Sequence, residues 1–206
     1  SQYATIGFTE LLGGKVVAVS CWDLKDKKAY TYSKKDGIDG RFLLTIVDQY
    51  GSIDKEAAKK AGYEIEAADA WLYKDVDVLI PAAKEGQITG DNVGKISKQV
   101  KIIAEGANGP VTIDADKEIQ KRGILDIPDF LCNAGGVTTS YFESVQNDMN
   151  FYWSTEEVLK RLDDKISVAF HAVLDMSLKE KVYMRDAAYL VSIERVVKAM
   201  QHRGWI

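Results

Sequence analysis

The 206-residue chain is poor in the side chains that build metal and disulfide sites: it holds two cysteines, Cys21 and Cys132, and two histidines, His171 and His202. Two cysteines are too few for a disulfide framework or a structural zinc site, and two histidines are too few for most histidine-based metal sites. A basic surplus is also missing. Lys and Arg number 27 against 31 Asp and Glu, a formal net charge of -4. With no surplus to neutralise phosphates, no nucleic-acid partner is expected. No apolar run approaches the ~20 residues of a membrane span. No charged n-region, apolar h-region and cleavage site open the chain. The expectation is a reducing, cytoplasmic setting without a membrane partner. The chain starts at Ser1 without Met, which fits Met removal or a tag remnant, and also an excised piece of a longer polypeptide.

What is present is an ordinary soluble composition, 46% hydrophobic and 28% charged. The length fits one domain, or one domain with an appendage. Folding a chain of this size buries roughly 70% of its unfolded surface.

KVVAVS (15–20), VDVLIPA (76–82), KIIAE (101–105) and GILDIP (123–128) are apolar, β-branched runs. They read as strands buried on both faces, the pattern of a parallel sheet. YTYSKKDG (30–37) reads as a short strand leading into a turn. Helical segments are predicted over 39–50, 55–61, 67–73 and 114–122. Strand alternating with helix predicts βαβ units and an α/β, doubly wound, mostly parallel sheet. After Asn133 the pattern is all helical. Ser154 and Glu157 form an S-x-x-E capping box, followed by Val158, Leu162, Ile166, Phe170 and Val173 on one face. A further helix from about Arg185 places Leu190, Ile193, Val197 and Met200 on one face. The expected organisation is a Rossmann-like dinucleotide-binding domain over 1–150 and a C-terminal helical pair over 151–206 packed on it.

In open α/β sheets, ligands bind beyond the carboxyl ends of the strands. There the sequence places Ala82-Ala83-Lys84-Glu85, Gly106-Ala107-Asn108-Gly109-Pro110 and Cys132-Asn133-Ala134-Gly135-Gly136. Small residues let a planar ligand lie against backbone, and Asn side chains hydrogen-bond ribose hydroxyls or an amide. The combination suits a dinucleotide. Each stretch also has a local reading: Asn108-Gly109 as a turn and Asn133 as a helix N-cap. Ser140 follows Asn133 by seven residues, about two helical turns on nearly the same face. Its hydroxyl would reach a substrate, or bond back to its own helix. At the end of KVVAVS, where such folds often place a ribose-reading acid, stand Cys21 and, two residues on, Asp23. Arg185-Asp186 reads as a cap or ion pair, and Cys132 as packing.

Several of these stretches resemble a known family. AEGANGPVT (104–112), PDFLCNAGGVTTSYFESVQN (128–147), MRDAAY (184–189) and the terminal RGW resemble the cofactor-binding domain of hexameric bacterial and archaeal glutamate dehydrogenases, within the Glu/Leu/Phe/Val dehydrogenase superfamily. PAAKEGQIT (81–89) and GGKVVAVS (13–20) fit in the same order, and SYFE with the paired terminal helices favours the glutamate enzymes. The resemblance implies oxidative deamination of L-glutamate to 2-oxoglutarate and ammonia with NAD or NADP. It implies a homo-oligomer, hexameric for the full-length family. It implies that Ala82 and Ala83 line the cofactor cleft, that Asn108 contacts a ribose and Asn133 the nicotinamide end, and that Ser140 holds the side-chain carboxylate of glutamate.

The departures are specific. Ser144 stands where the family usually has Trp, Ile113 where it has Pro, and Cys21 where it has an acid, which leaves NAD and NADP both open. No GxGxxG occurs, and YATIGFTELLGG (3–14) resembles the helix that follows that loop. The first strand of the usual sheet, the pyrophosphate loop and the substrate domain with the catalytic Lys and Asp are therefore expected to lie outside this sequence. No catalytic residue is expected within it, and the chain alone is expected to be inactive. The alternative is a catalytically dead, truncated paralogue acting as a nucleotide-binding or interaction module. Without a shared central strand, KVVAVS and VDVLIPA would pair directly, recruit a strand from another chain, or leave edges open.

Overall fold

The computed structural model describes residues 2–206. The chain divides into two compact units: one comprises the residues up to Val76 together with Gly94–Val100, the other Asp77–Val93 with Lys101–Ile206.

The first unit contains α1 (Gln2–Glu10), β1 (Ala18–Asp23), β2 (Lys28–Ser33), α2 (Gly40–Thr45), α3 (Lys55–Lys60) and β3 (Glu64–Glu66). Its sheet has the order β1-β2-β3 and is antiparallel throughout, with Ala18 opposite Ser33 and Asp23 opposite Lys28. This differs from the parallel pairing expected of the first apolar run. The next strand follows after four loop residues, and only an antiparallel neighbour can be reached so quickly. The ladder also starts later than expected: 15–17 lie outside it, although the carbonyls of Val16 and Val17 accept the N–H groups of Ile38 and Lys34. Asp39 and Asp54 cap α2 and α3 through their carboxylates, each of which accepts two backbone N–H groups. The predicted helix over 39–50 is confined to α2, and that over 67–73 is a 3-10 turn at Ala70–Tyr73. Val19, Tyr32, Ile38, Leu43, Ile53, Ala58 and Tyr63 form the core.

The second unit contains β4 (Val78–Leu79), β5 (Ile102–Ala104), α4 (Ile113–Lys121), β6 (Leu125–Ile127), α5 (Asp129–Cys132), α6 (Gly135–Met149), α7 (Thr155–Glu180) and α8 (Met184–His202). Its sheet is parallel in the order β4-β5-β6, with Val78 opposite Ile102 and Ile102 opposite Leu125. Here the expectation holds: continuous apolar runs form parallel strands, and α4 is the crossover between two of them. β1 and β4 lie in separate sheets, so the direct pairing considered from the sequence is not formed.

The helical end is as expected, with one shift of face. Ser154 accepts the N–H of Glu157 at 3.2 Å, the first half of a capping box, at the start of α7. Val173 and Phe170 pack with Leu131, Met184, Ala187, Ala188 and Val191. The packed face of α8 is therefore 184/187/188/191, whereas Leu190 and Ile193 are exposed. Small alanines admit close helix approach, and that contact decided which stripe is buried. Among the described residues, no helix is long and apolar enough to cross a membrane.

Candidate functional site

Parallel register brings the carboxyl ends of β4, β5 and β6 to one edge of their sheet. After β4 the chain passes Pro81 to Ala82, and after β5 it passes Glu105 to Gly106. These two turns touch. Ala107 N–H donates to the Pro81 carbonyl at 2.9 Å, and a Cβ on Gly106 would stand 3.0 Å from Cβ of Ala82. Gly106 is thus the residue that lets the two strand ends approach. Gly109 adopts φ +52°, a left-handed conformation that favours glycine. Its N–H donates to Asp129 at 2.8 Å, and its carbonyl accepts from Gly86.

Asn133 donates its side-chain amide to Oδ1 of Asn108 at 2.7 Å. The structure thus joins two of the residues singled out from sequence, and places Ala82 on the same sheet edge. Asn133 is the C-cap of α5 rather than the N-cap of α6, which begins at Gly135 behind Ala134. Consequently Asn133 and Ser140 do not share one helix. Ser140 lies within α6 and is exposed, and Ala83 is exposed with its N–H 3.4 Å from the Gln87 side-chain carbonyl.

The Asn pair has a definite chemical capacity. The bond uses one N–H of Asn133 and the carbonyl of Asn108. The NH₂ of Asn108 and the carbonyl of Asn133 remain as a donor and an acceptor. That pair complements a primary carboxamide or two ribose hydroxyls. Around it the backbone is open: a Cβ on Gly109 or on Gly136 would meet nothing within 4 Å. The donor set and the open backbone fit a nicotinamide nucleotide.

Beneath this edge lies a charge cluster that the sequence did not announce. Arg185, near the start of α8, reaches Glu105 at 2.5 Å, Asp126 at 3.0 Å, Asp116 at 3.4 Å and Asp129 at 3.4 Å. Glu105 and Asp126 are wholly buried. Burial pushes the Asp126 carboxyl up to about 8, reinforced by the charge of Glu105. Burial also raises Glu105 and Asp116, against the pull of Arg185. Burial pushes the half-buried Cys132, beside these carboxylates, up to about 11, which makes it a packing residue rather than a nucleophile. The only local signal of the cluster was an acid inside each of two apolar runs, at Glu105 and Asp126.

Cys21 and Asp23 lie in the first unit, on β1. The Cys21 thiol donates to the Gly51 carbonyl at 3.1 Å, and burial raises its pKa. Asp23 accepts from Asp26 N–H at 2.9 Å and pairs with Lys55 at 2.7 Å, so both its oxygens are engaged. A cleft of roughly 600 Å³ opens beside them, lined among others by Asp23, Asp26, Asp48, Asp54 and Lys55. No group of three or more His, Cys, Asp or Glu among the described residues is arranged to hold a metal ion.

A family model described as Glutamate/Leucine/Phenylalanine/Valine dehydrogenase matches residues 1–204. An NAD-specific glutamate dehydrogenase of Clostridioides difficile is 41% identical over 197 residues, 95% of this chain and 45% of that protein. One from Staphylococcus aureus (strain COL) is 39% identical over 199 residues, 94% of this chain and 44% of that protein. The structure is similar to that of glutamate dehydrogenase from Peptoniphilus asaccharolyticus, with TM-score 0.77 and 34% identity over 98% of this chain and 44% of that one. It is also similar to hetero-hexameric glutamate dehydrogenase from Thermus thermophilus, with TM-score 0.82 and 26% identity over 98% and 44%. The likeness supports the Rossmann-like α/β reading. The chain spans less than half the length of these relatives. Matched over nearly its whole length, the chain belongs to the Glu/Leu/Phe/Val dehydrogenase family.

Proposed function

We propose that this chain is the cofactor-binding portion of a glutamate dehydrogenase, which oxidatively deaminates L-glutamate to 2-oxoglutarate and ammonia. The observation that carries the reading is the Asn108–Asn133 pair, which joins the turn after β5 to the end of α5, beside open backbone at Gly109 and Gly136. Bound NAD would supply the hydride acceptor. The chain's own part is orientation: Asn108 and Asn133 hold the nucleotide, Ala82 and Ala83 leave room along the sheet edge, and Ser140 holds the far carboxylate of glutamate. Fixing both partners converts a chance encounter into an aligned one.

NAD is favoured over NADP. Two of the relatives are named NAD-specific. The chain alone is expected to give no glutamate-dependent NADH, and the complete enzyme to be a homo-oligomer.

The test is NADH titration of the 206-residue chain, following energy transfer from its four tryptophans, with NADPH in parallel. Saturable binding, tighter for NADH, supports the reading. A chain folded by circular dichroism that binds neither overturns it and favours the interaction-module alternative.

A further inference from the structure

Arg185 is paired with four carboxylates, and Glu105 and Asp126 among them are wholly buried. Fully ionised, the set would carry three uncompensated negative charges. The other titratable groups facing it do not help: Tyr183 and Cys132 are neutral, and Asp186 adds negative charge near Asp116. Asp116 Oδ1 and Asp126 Oδ1 are buried without a hydrogen-bond partner. Two adjacent buried carboxyl groups with too few cations retain a proton between them. Glu105 Oε1 and Asp126 Oδ2 reach the same Nη2 of Arg185, at 2.5 and 3.0 Å, and these two wholly buried groups are where it is shared.

The cluster is joined directly to the Asn pair through Asp129. Asp129 N–H donates to Oε2 of Glu105 at 3.0 Å, and its Oδ1 faces Arg185. Its other oxygen accepts the N–H of Gly109, the neighbour of Asn108, at 2.8 Å. Its carbonyl accepts the N–H of Asn133 at 2.8 Å. One residue thus holds both halves of the pair, and Glu105 and Arg185 hold that residue.

We propose that Arg185, Glu105, Asp126 and Asp129 are positioning residues for the Asn108–Asn133 pair, held in place by a proton shared between Asp126 and Glu105, so that cofactor binding is lost when that proton leaves. This rests on the cofactor reading above. Loss of the proton leaves two buried carboxylates repelling each other across one guanidinium. Glu105 then shifts, Asp129 loses its anchor, and the Gly109 turn and Asn133 separate.

The test uses the 206-residue chain and its Asp126→Asn variant, in which the amide imitates the protonated carboxyl. The Gly109 backbone amide and the Asn133 side-chain NH₂ are followed by ¹H–¹⁵N NMR from about pH 6.5 to 9.5, with NADH titrations near pH 7 and 9. In the wild-type chain both resonances should move together with a midpoint near 8, and NADH affinity should fall at least tenfold. In the variant both should be flat, and NADH affinity should be the same near pH 7 and pH 9. Resonances that do not titrate, or that titrate alike in both chains, overturn the proposal. Should the variant not fold, the ¹³C carboxyl shift of Asp126 in the wild-type chain decides. Protonated at pH 7 and titrating with Gly109, it supports the shared proton; ionised at pH 6, it overturns it. If the wild-type chain binds no NADH at any pH, the cofactor reading fails, while the resonances still decide whether the cluster controls the pair.

Discussion

The side-chain amide of Asn133 meets Oδ1 of Asn108 at 2.7 Å, tying the turn after β5 to the end of α5. Asn108 is exposed and Asn133 half-buried, so the bond contributes little to folding, about 0.5–1.5 kcal/mol. The bond leaves one donor and one acceptor side by side. Asn108→Ala and Asn133→Ala should each weaken NADH binding about tenfold, some 1.4 kcal/mol, with little change in urea midpoint. Unchanged NADH affinity in both variants would remove the pair from the site.

Gly106 is a packing requirement. An added Cβ would stand 3.0 Å from Cβ of Ala82 and 3.7 Å from Cγ2 of Ile80. The Ala82 Cβ is fixed to backbone and cannot rotate away. Gly106→Val should therefore push the ends of β4 and β5 apart at a cost of about 1–3 kcal/mol, and weaken NADH binding at the same time. Urea unfolding and the fluorescence titration together would show it.

Asp126 makes stability depend on pH with a definite sign. Its carboxyl titrates at about 8 in the folded chain against a reference of 3.8. The folded chain holds the proton more tightly, so this contribution is complete below about pH 4, falls as pH rises, and is gone above about pH 8. Asp126→Asn has no proton to lose. In urea unfolding the variant should gain on the wild-type chain by up to about 1.4 kcal/mol per pH unit across that window, and by nothing further above it. A difference independent of pH would mean that Asp126 is ionised in the folded chain.

Ser140 is exposed on α6. Ser140→Ala should change stability by no more than about 0.5 kcal/mol and leave NADH affinity as it was. Its effect should appear only as weaker 2-oxoglutarate or glutamate binding in the complete enzyme. A loss of NADH affinity in the variant would place the hydroxyl at the cofactor instead.

The strands of the second unit were legible because a strand covered on both faces must be apolar at successive positions, as in VDVLIPA and KIIAE. Small residues and amides at strand ends pointed to Ala82, Asn108 and Asn133, and the structure brings them to one sheet edge and joins the two amides. The pairing of KVVAVS was not legible. An apolar run does not state its neighbour, and the short loop to β2 settled the matter in favour of an antiparallel hairpin. The packed stripe of α8 was likewise misplaced by one face, because Ala187 and Ala188 look unremarkable beside Leu190 and Ile193 until α7 lies against them.

By itself the sequence determined the α/β class, the helical end and which strand ends hold amides, since each follows from side chains within a few positions of one another. Only the tertiary structure decided that Asn133 caps α5 and bonds to Asn108, and that Arg185 faces Glu105, Asp116, Asp126 and Asp129. Those acids come from the end of β5, α4, β6 and α5, and Arg185 lies 80 residues beyond Glu105. Charge and hydrogen bonding act over a few ångströms of space, so a cluster drawn from five elements has no signature along the chain until folding brings them together.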